Sequence, residues 1–323
     1  MSAGAPEPLA TVPAAQLVKT ASPVEWLVEG LLLKGGAAIL GGAPKAGKSF
    51  LALDVCVAVA SATPAAGHFH VAAACPVTLL CAEDPSPVLA QRLAALARSR
   101  SLALDDLPIE VIVETLVRLP EALPRLAATL ARSRPGLLLL DPLIRLHRAD
   151  ENSASEMAVV LDGLRDLARA ESTAILLVHH ARKAASAGSP GAGLRGSSDL
   201  AAFGDSNLYL RRLADTALEL RIEHRAAAAP EPLQLRLCVE AEGGASARFQ
   251  AQPGRAPAQD LSASRVLALL ERSPNPLPAS ALRGKLGVRN QTITAALRTL
   301  LDNGSVERRG RDGWAIKHGH LQG

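Results

Sequence analysis

Between residues 37 and 180, short, largely apolar runs alternate with longer stretches in which apolar positions recur every three or four residues. The apolar runs fall at 37–40, 77–81, 109–113, 137–140 and 174–178. Each reads as a strand candidate. Helical periodicity fills the intervals at 48–61, 86–99, 121–133 and 154–170. The alternation predicts an α/β fold with a mostly parallel central sheet and helices on both sides. Residues 184–198, AASAGSPGAGLRGSS, break the pattern and read as a Gly/Ser-rich loop. Strand-like runs resume at 206–211, 216–222 and 233–239; the last two flank the turn AAAAPEP and extend the sheet as a hairpin.

The pattern divides the chain. Residues 1–22 are Ala/Pro-rich and are expected to lack fixed structure. Residues 23–250 form the α/β domain, 251–260 (AQPGRAPAQD) a linker, 261–317 a small C-terminal domain, and 318–323 a tail. Within the small domain, helices are expected at 264–273, 279–286 and 290–303, with Gly304 ending the third. The third is amphipathic: Ile293, Ala296, Leu297, Leu300 and Leu301 turn inward, while Arg289, Gln291, Thr292, Thr294 and Arg298 turn outward. Two short strands then enclose a basic tip at Arg308, Arg309 and Arg311. This is the pattern of a winged helix, in which the third helix enters a major groove and the wing touches phosphates. Winged helices also serve as protein–protein adaptors; the basic wing favours DNA.

Charge sharpens that division. Residues 261–323 carry 10 Lys+Arg against 4 Asp+Glu, whereas residues 1–260 carry 25 against 27. Aromatic residues make up 2% of the chain, which disfavours nucleic-acid binding by base stacking. The four cysteines, Cys56, Cys75, Cys81 and Cys238, form no Cys-x-x-Cys pair and read as reduced thiols. His68 with His70, and His318 with His320, lack the partners of a metal site. The N-terminus has no signal-peptide blocks, and no apolar run reaches the ~20 residues that span a bilayer. A cytoplasmic protein with no membrane partner is the expectation.

The candidate chemistry sits at the predicted strand ends. Gly42, Ala43, Pro44, Lys45, Ala46, Gly47, Lys48 and Ser49 fit G-x-x-x-x-G-K-[ST], between an apolar strand and a helix that begins at Phe50. Backbone N–H groups of such a loop cradle phosphates, Lys48 reaches the β- and γ-phosphates of ATP, and Ser49 ligates Mg2+. Asp141 ends the apolar run LLLL and is placed to hold the Mg2+ shell. Glu83 follows the strand VTLLC and is placed to act as general base on the attacking water, with Asp84 the alternative or a cap for the next helix. His179 and His180 end another strand; adjacent strand residues face opposite ways, and His180 is the one assigned to sense the γ-phosphate.

Taken together, the loop at 42–49 and the segments CAEDPSPVLAQRL, LLLLDPLIRLHRADENSASEM, LLVHHARK and LRGSSDL resemble the RecA/DnaB-superfamily P-loop ATPases. The resemblance spans residues 23–222 and is closest to the hexameric plasmid helicases of the RepA type, within the AAA family ATPases. It implies a RecA-like core, ATP and Mg2+ as cofactors, Glu83 as catalytic base, His180 as γ-phosphate sensor, and Arg92 close to nucleotide. It also implies a homo-oligomer, a hexameric ring in the RepA type, with a basic residue of one copy completing its neighbour's site. Arg195, then Lys183, then Arg182 match that role. Loop 184–198 corresponds to the segment that meets single-stranded DNA. The chain departs from the RepA type where an Arg follows RGSS by several residues: Asp205 stands there, as in DnaB-type or RadA-type sequences. The expected activities are a RepA/DnaB-like helicase or DNA motor in plasmid, phage or mobile-element replication, an ATP-controlled DNA-binding regulator, or a RadA-like recombination ATPase.

Overall fold

The computed structural model describes residues 10–20, 23–114, 116–151, 153–180, 198–240, 246–252, 258–273, 275–287, 290–302, 304–309 and 313–317. The chain separates into a unit ending at Ala251 and a unit beginning at Gln252.

In the first unit the elements run α1 (Ala14–Thr20), β1 (Trp26–Val28), β2 (Leu32–Leu33), β3 (Ala37–Gly42), α2 (Lys48–Ser61), β4 (Val77–Cys81), α3 (Ser86–Arg98) and β5 (Ile109–Val111). They continue with α4 (Leu123–Ser133), β6 (Leu137–Asp141), α5 (Ala154–Ala170), β7 (Ala174–His180), α6 (Ser198–Phe203), β8 (Ser206–Arg212), β9 (Ala217–His224), β10 (Leu233–Glu240) and β11 (Ser246–Gln252). β3 to β11 form one nine-stranded sheet, in the spatial order β5-β4-β6-β7-β3-β8-β9-β10-β11. The strands from β5 to β8 are parallel, and β9 and β10 join antiparallel, as the hairpin expected at the turn AAAAPEP.

Each central strand is apolar on both sides because each side meets a separate core. Ala38, Leu40, Leu79, Leu139 and Leu176 pack with α2 and α3; Ile39, Leu80, Leu138, Leu140 and Leu177 pack with α4, α5 and α6. Large buried aliphatic side chains at roughly 1.5–3 kcal/mol each supply the stabilisation that aromatic residues supply elsewhere. Trp26 stacks edge-on against His224, with ring centroids 5.1 Å apart.

Three details differ from the sequence expectation. Residues 14–20, expected without fixed structure, form α1; Ala, Gln, Leu and Lys are strong helix formers, and the helix buries no residue. β11 occupies 246–252, where no strand was expected, and ends inside the expected linker. A helix, α7 (Ala258–Glu271), begins before that linker's expected end.

The second unit continues with β12 (Leu277–Pro278), α8 (Ala279–Leu286), α9 (Asn290–Asp302), β13 (Val306–Arg309) and β14 (Gly313–Ile316). Its sheet has the order β12-β14-β13, all antiparallel. Val266, Leu270, Leu282, Ile293, Ala296, Leu297 and Leu300 form its core. Leu301 corrects the expectation that it turns inward: it stands 46% exposed, because Leu297 and Leu300 already fill the inward face of that turn. Thr294 and Arg298 point outward as expected, and the Arg308 guanidinium lies over the Trp314 ring. Arg289, Arg311, His318, His320 and the side chains of Gln291 and Thr292 lie outside the described residues.

One buried ion pair ties α2 to the turn that follows α3. Asp54 of α2, fully buried, accepts from Arg100 Nη2 at 2.7 Å and from the Ala66 amide at 2.6 Å. Arg100 Nε also reaches Thr63 Oγ1 at 3.0 Å, closing the loop that follows α2. Removing the cation strands a buried carboxylate. Arg100→Ala is therefore expected to lower the stability of this unit by about 3 kcal/mol or more, read as the shift of its denaturation midpoint; an unchanged midpoint would rule the clamp out.

Candidate functional site

The parallel register carries four strand ends to one edge of the sheet. Gly42 of β3 stands beside His180 of β7, and Asp141 of β6 beside Cys81 of β4, two residues before Glu83. Residues 42–49 thus open at the same edge as Glu83, Asp141 and His180.

The loop itself is shaped by backbone needs. A Cβ at Gly42 would lie 2.3 Å from the Leu210 carbonyl oxygen, so only glycine admits β8 this closely. Gly47 stands at the N-cap of α2 with φ 96°, in the left-handed region that favours glycine. Ala43, Pro44 and Lys45 are exposed, Ala46 is buried, and Lys48, Ser49 and Phe50 form the first turn of α2. That helix start has no side-chain cap and no acidic residue, leaving its amides and dipole for an anion.

Lys48 is 4% exposed, and its ammonium donates to the carbonyls of Gly42 and Ala43, each at 2.9 Å. Burial lowers its pKa, opposed by the carboxylates of Asp141 and Glu83. Asp141 is 6% exposed; burial pushes its carboxyl up to about 6, reinforced by Asp84 and Glu83 and opposed by a hydrogen bond with Ser49 and by Lys48. A hydroxyl and a carboxylate in contact are the hard oxygen donors that Mg2+ takes, so the residues present fit that ion as well as a phosphate chain.

Across from Lys48, His180 Nε2 lies 3.5 Å from Glu83 Oε2. His180 shares the face of β7 that bears Leu176 and Val178, toward α2, while His179 turns to the opposite face. Burial, with His180, Lys48 and His147 nearby, pushes the His179 imidazole down to about 4. Asp84 corrects one expectation: Pro85 holds the N-cap of α3 with no side-chain bond, and Asp84 instead pairs with Arg92. The Arg92 guanidinium is thereby held one residue from Glu83. Arg182, Lys183, Arg195 and all of loop 184–198 except Ser198 lie outside the described residues.

Sequence reasoning missed Arg212. At the end of β8, its Nε donates to the Lys45 carbonyl at 3.1 Å, bracing the phosphate loop from the hairpin side. Only the β3–β8 register brings the two together. Asp205 lies at the other edge of the sheet: its Oδ2 accepts from the Ala37 amide at 2.9 Å, with Arg165 at 3.8 Å and Arg225 at 3.9 Å. It anchors the start of β3. A cleft of about 600 Å³ opens at that edge, but Lys34 there pairs with Glu25 at 2.8 Å and Arg165 with Asp205. The convergent, uncompensated groups belong to the phosphate-loop edge.

The charge on Asp141 costs stability. With its carboxyl raised above the ordinary value of about 4, the folded state holds a proton that the unfolded state releases. The penalty is absent below pH ~4, grows as pH rises, and is complete above about 6. Asp141→Asn is therefore expected to raise the melting temperature of nucleotide-free protein at pH 8, a gain of up to about 3 kcal/mol. The difference should vanish at pH 4; equal melting at both pH values would contradict this electrostatic account.

Residues 5–186, more than half of the chain, match the AAA domain family model AAA_25. Among solved structures, a DnaB-like replicative helicase, described with its interactions with primase, superposes with a TM-score of 0.50 at 13% identity. That match covers 69% of this chain and 62% of the helicase, so this chain spans less than two thirds of that protein. The RadB recombinase superposes at 0.48 with 17% identity, over 67% of this chain and 91% of its own. No helix among the described residues is long and apolar enough to cross a membrane. The fold is of the RecA/DnaB P-loop type, and the chain belongs to the AAA domain family.

Proposed function

We propose that this protein binds ATP with Mg2+ at the tips of β3, β4, β6 and β7, hydrolyses it, and couples the cycle to DNA as a RepA/DnaB-like helicase or motor. Replication of a plasmid, phage or mobile element is the setting this reading implies. The observation that carries it is the meeting of Glu83, just past the end of β4, and His180, at the end of β7, 3.5 Å apart and opposite buried Lys48 and Asp141. Lys48 exchanges its carbonyl partners for β- and γ-phosphate oxygens, and the amides from Gly42 to Ser49 wrap the phosphate chain. Ser49 and Asp141 hold Mg2+, which when bound neutralises charge on those phosphate oxygens. Glu83, half exposed, takes the proton of the attacking water. His180 donates to the γ-phosphate and is oriented by Glu83. Arg92 keeps Asp84 from competing for the water. Arg195, with Lys183 and Arg182 behind it, serves a neighbouring copy in a homo-oligomer, and loop 184–198 meets single-stranded DNA.

The second unit acts as a winged helix on duplex DNA. Thr294 and Arg298 on the outer face of α9, and exposed Arg308 and Arg309 on β13, support this. The same basic edge favours the second reading, in which ATP controls a DNA-binding regulator.

Lys48→Ala is expected to abolish hydrolysis. Glu83→Gln should keep ATP affinity and lose about 10²–10⁴-fold in turnover. Hydrolysis surviving in Lys48→Ala would overturn the assignment. ATPase rates with single-stranded, duplex and no DNA, beside the mass in solution with ATP, separate the readings. Stimulation by single strands supports the motor; duplex binding without stimulation supports the regulator.

A further inference from the structure

On the opposite face of β7 from His180 lies a polar cluster that the hydrolytic reading leaves without a role. His179 is 5% exposed and His147 7%, and the Glu151 carboxylate stands between them. Its Oε1 is 3.6 Å from His179 Nδ1 and 3.9 Å from His147 Nε2. The three side chains come from the tip of β7, from the segment that follows β6 and Asp141, and from the turn ahead of α5. Three elements that border the phosphate site from behind are thus joined at one carboxylate.

Burial keeps both imidazoles neutral near pH 7. A neutral imidazole carries its single proton on either nitrogen, and the partner of each nitrogen decides which. His179 Nδ1 has no hydrogen-bond partner, and the nearest acceptor it faces is Glu151. A partly buried carboxylate in that place favours the proton on Nδ1 and fixes the ring plane, the way an acid behind a catalytic histidine does. The contact is a few tenths of an ångström beyond hydrogen-bond length, a gap of the size that closes when a site tightens around substrate. His180 is the next residue on the same strand, so the backbone at the tip of β7 that carries the His179 ring also carries His180 toward Glu83.

We propose that Glu151 is a positioning residue for the tip of β7: it holds His179 as the Nδ1–H tautomer and thereby aims His180 at Glu83 and the terminal phosphate. The proposal rests on the reading that Glu83 and His180 serve hydrolysis. His147 braces the same carboxylate from the segment after Asp141, so the Mg2+-side and sensor-side strands share one support.

The test uses the full chain, with ¹⁵N-labelled histidine to read the tautomer of His179 by its ring-nitrogen shifts, assigned by loss of the signal in His179→Asn. In wild type, His179 should be the Nδ1–H form. In Glu151→Ala it should move to the Nε2–H form or a mixture, with kcat down about 10-fold and KM for ATP within about two-fold. Glu151→Gln, which keeps a carbonyl acceptor, should recover most of both, and it carries the test if the alanine variant does not fold. An Nε2–H form in wild type, an unchanged tautomer in Glu151→Ala, or a changed tautomer with unchanged kcat would each overturn the proposal. A wild-type protein that hydrolyses no ATP would sink the hydrolytic reading instead, and the tautomer would then judge Glu151 alone.

Discussion

A continuous parallel hydrogen-bond ladder is the constraint on which the rest of the first unit depends. With β4, β6, β7 and β3 adjacent and running the same way, every polar residue that ends one of these strands arrives at the same edge. The loop at 42–49 needs nothing but its place after β3 to face Asp141, Glu83 and His180. The ladder in turn requires strands that both faces can bury, and the largely aliphatic runs meet that requirement. Asp205 secures the far end: by binding the first amide of β3 it removes slack from the strand that carries the phosphate loop.

The polar groups at the edge that carries residues 42–49 stand in contrast to this core. Lys48 and Asp141 are held in low-dielectric surroundings where each alone would be costly, and each is only partly compensated by the other. Such residual cost is the ordinary mark of a site shaped for a ligand's charge rather than for stability. The buried Asp54–Arg100 pair differs in its partners: burial raises the Asp54 carboxyl too, but its hydrogen bonds close on Arg100 and the Ala66 amide within the protein.

Most of the parallel core could be read from the chain because its signals were local. The runs at 77–81 and the helical periods at 48–61 and 154–170 coincide with β4, α2 and α5, since nothing in those stretches favours another structure. β7 extends two residues past its apolar run because His179 and His180 keep the ladder with β3 despite their polarity. β11 escaped notice because SARFQAQ alternates small Ala with one Phe, and its packing partner Phe50 lies almost 200 residues away. The gathering of Lys48, Asp141, Glu83 and His180 at one edge was legible from motif and spacing. Arg212 and the Asp84–Arg92 pair were not, as both depend on register or on a turn outside any helix. Glu151 gave no signal at all: an acid before a helix is ordinary, and only the fold sets it between two imidazoles.

The scarcity of aromatic side chains leaves a useful asymmetry. The chain has two tryptophans, Trp26 in the first unit and Trp314 in the second, so each unit carries its own intrinsic fluorophore. Trp26 touches the His224 ring, whose pKa burial lowers, and a protonated imidazole quenches indole emission on contact. Light emitted from Trp26 therefore reports the ionisation of a histidine at the end of β9, while emission from Trp314 follows events in the basic C-terminal unit. Replacing either indole with phenylalanine isolates the other, giving optical access to the two units separately.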